Sequence, residues 1–466
     1  MLTYMCLGPN RLSGQFPSEI GNLNRLQFLD VIDNYLTGSI PSTLWKLTKL
    51  TYLDIAGNKL SGTLSSEVGY LGKLSHLGTG GFYDSKSEKI MGLLAGSIPA
   101  EIGLLTSLKH LSLELNQFSG EFPSEIGLLI RLSYLDIYNN VFTGRLPIGN
   151  WSGMEHFDVT GNNFSGTFPT KILLLQNLDV LRMESNYFSG TIPTEIGRLT
   201  KLADLKISGN SFNGTLPTEI GLMTSVVQLY VGWNLFTGQL PTEIGLMTSL
   251  TFVFADNNSF TGAITTDIGF LTNLRYLSFS YNLFNGTVPT QIGLSTSLLA
   301  LYLDNNTLTG TLPTAVGLMT NLIALILGNN TLTGALPTEI GLMTSLAHLW
   351  INTNAFKSTL PTEFGLLTNL IYLSGSMDTF TGTLPTEIGL MTSLISLALG
   401  NNALNGTLPT EIGLLSRLNI LALGNNDFTS AIPTEIELLT SLTFLMFSNN
   451  AFTGQIPIDF GTYPTY

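Results

Sequence analysis

The chain has 466 residues, 48 of them glycine and 19 proline, with 19 basic against 32 acidic side chains and a net charge of −13. That balance, with no basic stripe to offset it, repels phosphate backbones and excludes nucleic acid as a partner. Hydrophobic residues at 44 % supply a core, one cysteine leaves no disulfide framework or cysteine-rich metal site, and no apolar run reaches the roughly 18 residues of a membrane span.

At the N-terminus, Met1 to Asn10 has neither a basic region nor a small-residue cleavage site, so no targeting signal is read in this segment. From there Gly-x-Leu/Ile-Pro recurs along the chain. Anchoring each unit on the Asn four residues before its Gly gives Asn10, Asn34, Asn58, Asn116, Asn140, Asn162, Asn186, Asn210, Asn234, Asn258, Asn282, Asn306, Asn330, Asn354, Asn402, Asn426 and Asn450, with Gly92 and Asp378 in the same place. These make 19 units at intervals of 24 residues, except 34 from Asn58 to Gly92 and 22 from Asn140 to Asn162. Length alone would suggest about three domains, but a repeat overrides that prior. Residues 1–466 are therefore expected to form a single repeat domain, irregular near 79–91 and short near 148–162.

One unit, Leu394 to Leu418, shows the local logic. Leu394, Leu397 and Leu399 alternate with Ser396 and Ala398, the period of a short strand with one buried face. Asn402 ends the strand and is expected to bond the turn and the next coil. Leu404, Leu408 and Ile412 point inward at later corners. Thr410 and Glu411 suit the cap and first turn of a very short helix, and Gly413 stops it. One such unit cannot bury its apolar face alone, so neighbours must stack.

These fixed positions resemble the plant-type leucine-rich repeat, L-x-x-L-x-L-x-x-N-x-L-S/T-G-x-I/L-P-x-x-I/L-G-x-L. The near-identical PTEIGLMTSL segments at 217, 241, 337 and 385 are similar to algal versions. The resemblance implies an α/β solenoid: a right-handed superhelix with a parallel β-sheet on its concave face and short helices or turns on the convex face. It also implies a non-catalytic, receptor-like or secreted protein, extracellular or at the cell surface, that binds a protein or peptide on the concave face and needs no cofactor. The family's paired-cysteine cap, transmembrane helix and kinase are not in this segment. The expectation is a piece of a longer protein, able to associate through uncapped ends.

Strand positions six, four and two before the anchor should face solvent. In the first seven units, minus six holds Tyr4, Phe28, Tyr52, His76, His110, Tyr134 and His156, while minus four includes Asp30, Asp54, Asp136 and Asp158. After a charged interval with Arg182, Glu184, Asp204 and Lys206, read as a solvated pattern, a second ring cluster follows: Tyr230, Phe252, Phe254, Tyr276, Tyr302, His348, Trp350 and Tyr372. Exposed rings offer large contact area at low entropic cost, so both clusters are candidates for ligand binding, with Asp136 and Asp158 beside the first. Phe82 and Tyr83 in the insertion TGGFYDSKSEKIM add a candidate loop. The Phe stripe two residues after the anchor, unbroken from Phe118 to Phe284, is core. So are Met223, Met247, Met319, Met343 and Met391 as gap fillers.

Catalysis is not expected: Asp136 with Asp158, or Asp30 with Asp54, could approach, but on an open face with nothing to shift their pKa values. No metal is expected either, since His76 and His110 lack a third ligand. The eight N-x-S/T sequons are no more than chance supplies, and would carry glycans only in a secreted protein. The competing class is a surface-adsorbing or structural protein. Its working face would be the Thr columns, such as Thr266, Thr290 and Thr314, set in rows against ice, polysaccharide or mineral.

Overall fold

A computed structural model describes residues 2–84, 89, 90 and 92–457. The chain divides into two compact units, Met1–Leu235 and Phe236–Tyr466, described in turn.

In the first unit ten three-residue strands, Tyr4–Cys6 to Gln228–Tyr230, form a parallel sheet, one strand per repeat. Register matches equivalent positions, so Tyr4 lies against Phe28, Tyr52 against His76 and His110 against Tyr134. The central residue of every strand after the first is buried, as at Leu29, Leu53 and Leu77, and its two neighbours stand on the other face. Beneath the sheet run the rings of Phe118, Phe142, Phe164, Phe188 and Phe212, all buried, with successive centroids 6.1–6.4 Å apart. The helical segments among the described residues are five-residue 3-10 turns such as Ala100–Leu104. Gly is needed four residues after the anchor, where φ is +78° at both Gly38 and Gly190, a region that side chains disfavour.

The irregular unit keeps its place in the ladder. The His76–Gly78 strand pairs with His110–Ser112, and Asn116 Nδ2 donates across the insertion to the Thr79 carbonyl at 2.9 Å. Gly81 and Gly92 pass so close to the Leu115 carbonyl that a Cβ on either would collide with it. The insertion itself folds back as a hairpin, Tyr83–Asp84 antiparallel to Lys89–Ile90.

In the second unit nine parallel strands run from Phe252–Phe254 to Phe444–Met446. The anchor's task is visible at Asn282. Its Nδ2 donates to the carbonyls of Ala255, Phe279 and Ser280 at 2.9–3.2 Å, and its Oδ1 accepts from the Phe260 amide at 3.0 Å. The ladder therefore ties each coil to the preceding one, not to the following one as the sequence suggested. Asn402 does the same with Gly375 and Phe380. The residue before the anchor is left-handed, for example Asn305 at φ +54° and Asn329 at +52°. The Thr expected as a helix cap is instead the first residue of its turn. At Thr410–Leu414 the cap position is Pro409, with no side-chain bond, and Thr410 donates to Glu411 at 3.2 Å.

Candidate functional site

The first unit's sheet face carries a continuous stack of rings. Tyr4, Phe28, Tyr52, His76, His110, Tyr134 and His156 follow one another with centroids 4.0–4.2 Å apart and planes within 16°. One ring per coil at strand spacing produces this column, and the rings lean together to close the remaining gap. The carboxylates beside them are engaged. Asp54 lies 3.0 Å from His76 Nε2 and accepts from the Tyr52 hydroxyl at 3.5 Å, while Asp136 accepts from the Tyr134 hydroxyl at 3.3 Å.

Burial governs the acid–base character of this face. It lowers His110 to about 4, aided by the neighbouring His76. It raises Glu114 to about 7 against the opposing hydrogen bond from Ser112, and pushes the Tyr52 hydroxyl up to about 12 with help from Asp54. Burial also raises Asp158, so an open sheet face does shift carboxylates, contrary to the expectation. Nor is the charged interval a solvated pattern. Asp204 is 5 % exposed and holds Arg182 through Nε at 2.8 Å and a second nitrogen at 2.6 Å, and the Lys206 ammonium lies 4.6 Å over the Tyr230 ring.

The second unit's face is built differently. Rings occur in pairs at its margins, Phe252 with Tyr276 at 5.2 Å and His348 with Tyr372 at 5.1 Å. Between them the strands carry Ala300 and Ala324, and Ala324 is too short to fill the space beside it. The result is an open hollow of about 600 Å³ lined by Phe254, Tyr281, Tyr302, Ile326, His348 and Trp350, with Asp256 and Asp304 on one flank. A second hollow continues it from Tyr281 and Trp350 to Tyr372. Trp350 is 44 % exposed, and Ser280 and Asn305 donate to Asp304, which fixes that carboxylate.

The sequence of residues 253–379 matches the family profile described as leucine-rich repeat region, and residues 25–47, 49–71, 107–129, 177–199 and 441–463 match the single leucine-rich repeat. No curated protein matches the chain. Among solved structures it is similar to the plant peptide hormone receptor RGFR1 in complex with RGF2. Identity there is 31 %, over 98 % of this chain and 79 % of that one, with a TM-score of 0.86. The chain belongs to the plant-type leucine-rich repeat family. Two further leucine-rich repeat structures, both of the Arabidopsis receptor kinase HAESA, are 31 % identical over 97 % of this chain. One is its ectodomain with an N-terminally extended IDA peptide hormone, covering 75 % of that chain at a TM-score of 0.88. The other is the complex with IDA and the co-receptor SERK1, covering 79 % at 0.84.

Placed on this leucine-rich repeat scaffold, the sequence-predicted residues separate. Tyr52, His76, His110, Tyr134 and His156 pack on one another, half-buried, with Asp136 and Asp158 buried alongside. Phe254, Tyr302, His348 and Trp350 meet at the hollow, Tyr372 borders its extension, and Tyr276 stacks at its margin. Tyr230 stays with the Lys206 network. Phe82 is half-buried at the base of the hairpin, and the Tyr83 side chain lies outside the described residues. The column reading missed Tyr281, 55 % exposed on the hollow's rim, because it stands one residue before the anchor. Its signal was available: a bulky residue in the slot that must be left-handed, where Tyr281 has φ +53°.

Proposed function

We propose that this chain is a ligand-recognition scaffold that holds an extended peptide across the sheet face of its second unit, in the hollow between Phe254 and Trp350. The observation that carries the reading is the contrast between the two faces. In the first unit the rings form one continuous stack at 4.0–4.2 Å, whereas in the second Tyr302, His348 and Trp350 line a hollow with Ala324, Ser278 and Ser280 in its wall, and Trp350 is 44 % exposed. A rigid aromatic rim beside small residues suits the anchor side chain of a peptide. Asp256 and Asp304 on the flank, with only three basic against fourteen acidic residues from 213 onward, favour a ligand with a basic residue beside that anchor. The similar solved structures are complexes of plant receptors with their ligands, which supports an extracellular, receptor-like setting. This role asks for no reaction and no cofactor.

Panning a random peptide library on the protein tests it. Selected peptides should bind the wild type and lose about 2 kcal/mol or more on Trp350→Ala, with the melting temperature nearly unchanged because the indole is half in solvent. Thr290→Tyr, on the opposite surface, should leave affinity intact. Selected peptides that bind Trp350→Ala as well as the wild type, or lose affinity with Thr290→Tyr, would contradict the assignment.

A further inference from the structure

We propose that Asp136, His156 and Asp158, on the sheet face of the first unit, form a site for a divalent transition metal of the zinc class. The parallel register sets Asp136 and Asp158 side by side on adjacent coils, with His156 two residues before Asp158 on the same strand. One ligand atom from each falls within 4.8 Å of the others. Both acids are buried, with side chains 11 % exposed at Asp136 and 7 % at Asp158. His156 Nε2 lies 3.8 Å from Asp136 Oδ2, shielded from solvent and without a hydrogen-bond partner. A shielded polar atom left unpaired is costly, and a metal ion would satisfy it.

The same arrangement occurs once more in the unit with one change, which serves as an internal comparison. Asp54 and His76 repeat the pairing of Asp136 and His156, but Gly78 stands where Asp158 would be. There Nε2 closes on Asp54 at 3.0 Å and has its partner. At His156 the added carboxylate of Asp158 goes with an imidazole nitrogen that bonds neither acid.

The surroundings orient the three groups for this role. Asp136 Oδ1 accepts from the Tyr138 amide at 3.2 Å, and Asp158 Oδ1 accepts from the Thr160 amide at 2.9 Å, so each carboxylate is oriented through one oxygen. The Tyr134 hydroxyl donates to Asp136 Oδ2 at 3.3 Å, and its ring stacks on His156 at 4.2 Å. Arg182 reaches Asp158 at 3.7 Å but is gripped more closely by Asp204, at 2.6 Å, on the far side.

One imidazole nitrogen and two carboxylates suit zinc and its neighbours, not calcium, which asks for six to eight oxygens. Ligand atoms at ~2.0–2.2 Å from an ion stand ~3 Å apart, so binding would draw these side chains together by roughly an ångström or more. Three protein ligands leave a coordination position open to water or to a carboxylate from outside.

The test uses the full chain, tag-free and stripped with chelator, titrated calorimetrically with zinc chloride alone. The expected result is saturable binding of one ion per chain, weakened at least tenfold by both His156→Gln and Asp158→Asn and unchanged by His76→Gln. Calcium should produce no matching heat. Zinc should raise the melting temperature of the wild type, and that rise should vanish in Asp136→Asn, a third route to the answer if either other variant folds poorly. Absence of saturable binding up to about 1 mM zinc, or one-to-one binding that survives His156→Gln and Asp158→Asn, would overturn the proposal.

Discussion

Asp378 occupies the anchor place that Asn354 and Asn402 fill in the units on either side, and the exchange of an amide for a carboxyl removes the anchor's donor. The Asn402 amide donates to the carbonyls of Gly375, Leu399 and Gly400. Asp378 keeps the acceptor role toward the Asn354 and Phe356 amides, but its Oδ2 is buried with no partner. Burial raises this carboxyl to about 7. An acid raised in the folded state keeps its proton while the unfolded chain loses it. Stability from this group is therefore full below pH ~4, falls as pH rises toward 7, and levels beyond. Asp378→Asn should remove that slope and add about 1–2 kcal/mol at pH 7.5, as judged by denaturant midpoints at pH 4.5 and 7.5. Tyr281 offers a second residue-scale test. Its left-handed backbone is one that Asn adopts more readily, so Tyr281→Asn should gain about 0.5–1 kcal/mol in stability while weakening the selected peptides. A variant that lost stability would show that the Tyr281 ring supports the fold. The columns of rings and acids could be counted in the sequence, but not their pairing. Whether Asp158 is solvated or buried depends on Arg182 and Asp204 in later coils, which no single unit specifies.

The 3-10 turns separate two kinds of cap. Where the usual Pro precedes the turn, as at Pro409, no side chain caps it, and Thr at the first turn position bonds only its neighbouring Glu. Where Ser65 or Thr265 replaces that Pro, the hydroxyl accepts from the Glu67 or Asp267 amide at 3.2 Å. Thr265→Ala should therefore cost about 1 kcal/mol and Thr410→Ala less than about 0.5, measured by thermal unfolding. Equal costs would mean that the exposed Thr–Glu pair acts as a cap in its own right. Strands and turns were legible because the apolar spacing changes from alternate residues to wider steps within each 24-residue unit. The cap assignment was not, since one-residue precision depends on φ and ψ at the Pro, which the pattern does not encode.

At the scale of the molecule, the repeat made the fold readable: every unit repeats the same buried positions, so an error in one is corrected by the next. The candidate binding face was less readable, because the two ring clusters look alike in sequence. What distinguishes them is neighbouring side-chain size. Consecutive rings from Tyr4 to His156 fill their column, while Ala324 leaves a gap that Tyr302, Ile326 and Trp350 surround. The surface-adsorbing alternative places the working surface elsewhere, on the Thr columns. Hydrogen exchange with and without a library-selected peptide separates the two most directly. Binding in the hollow predicts slowed exchange confined to residues 300–304, 324–328 and 348–352, with the Thr-bearing turns at 290–294 and 314–318 unchanged. Protection of those turns with no change at the three strands would contradict it.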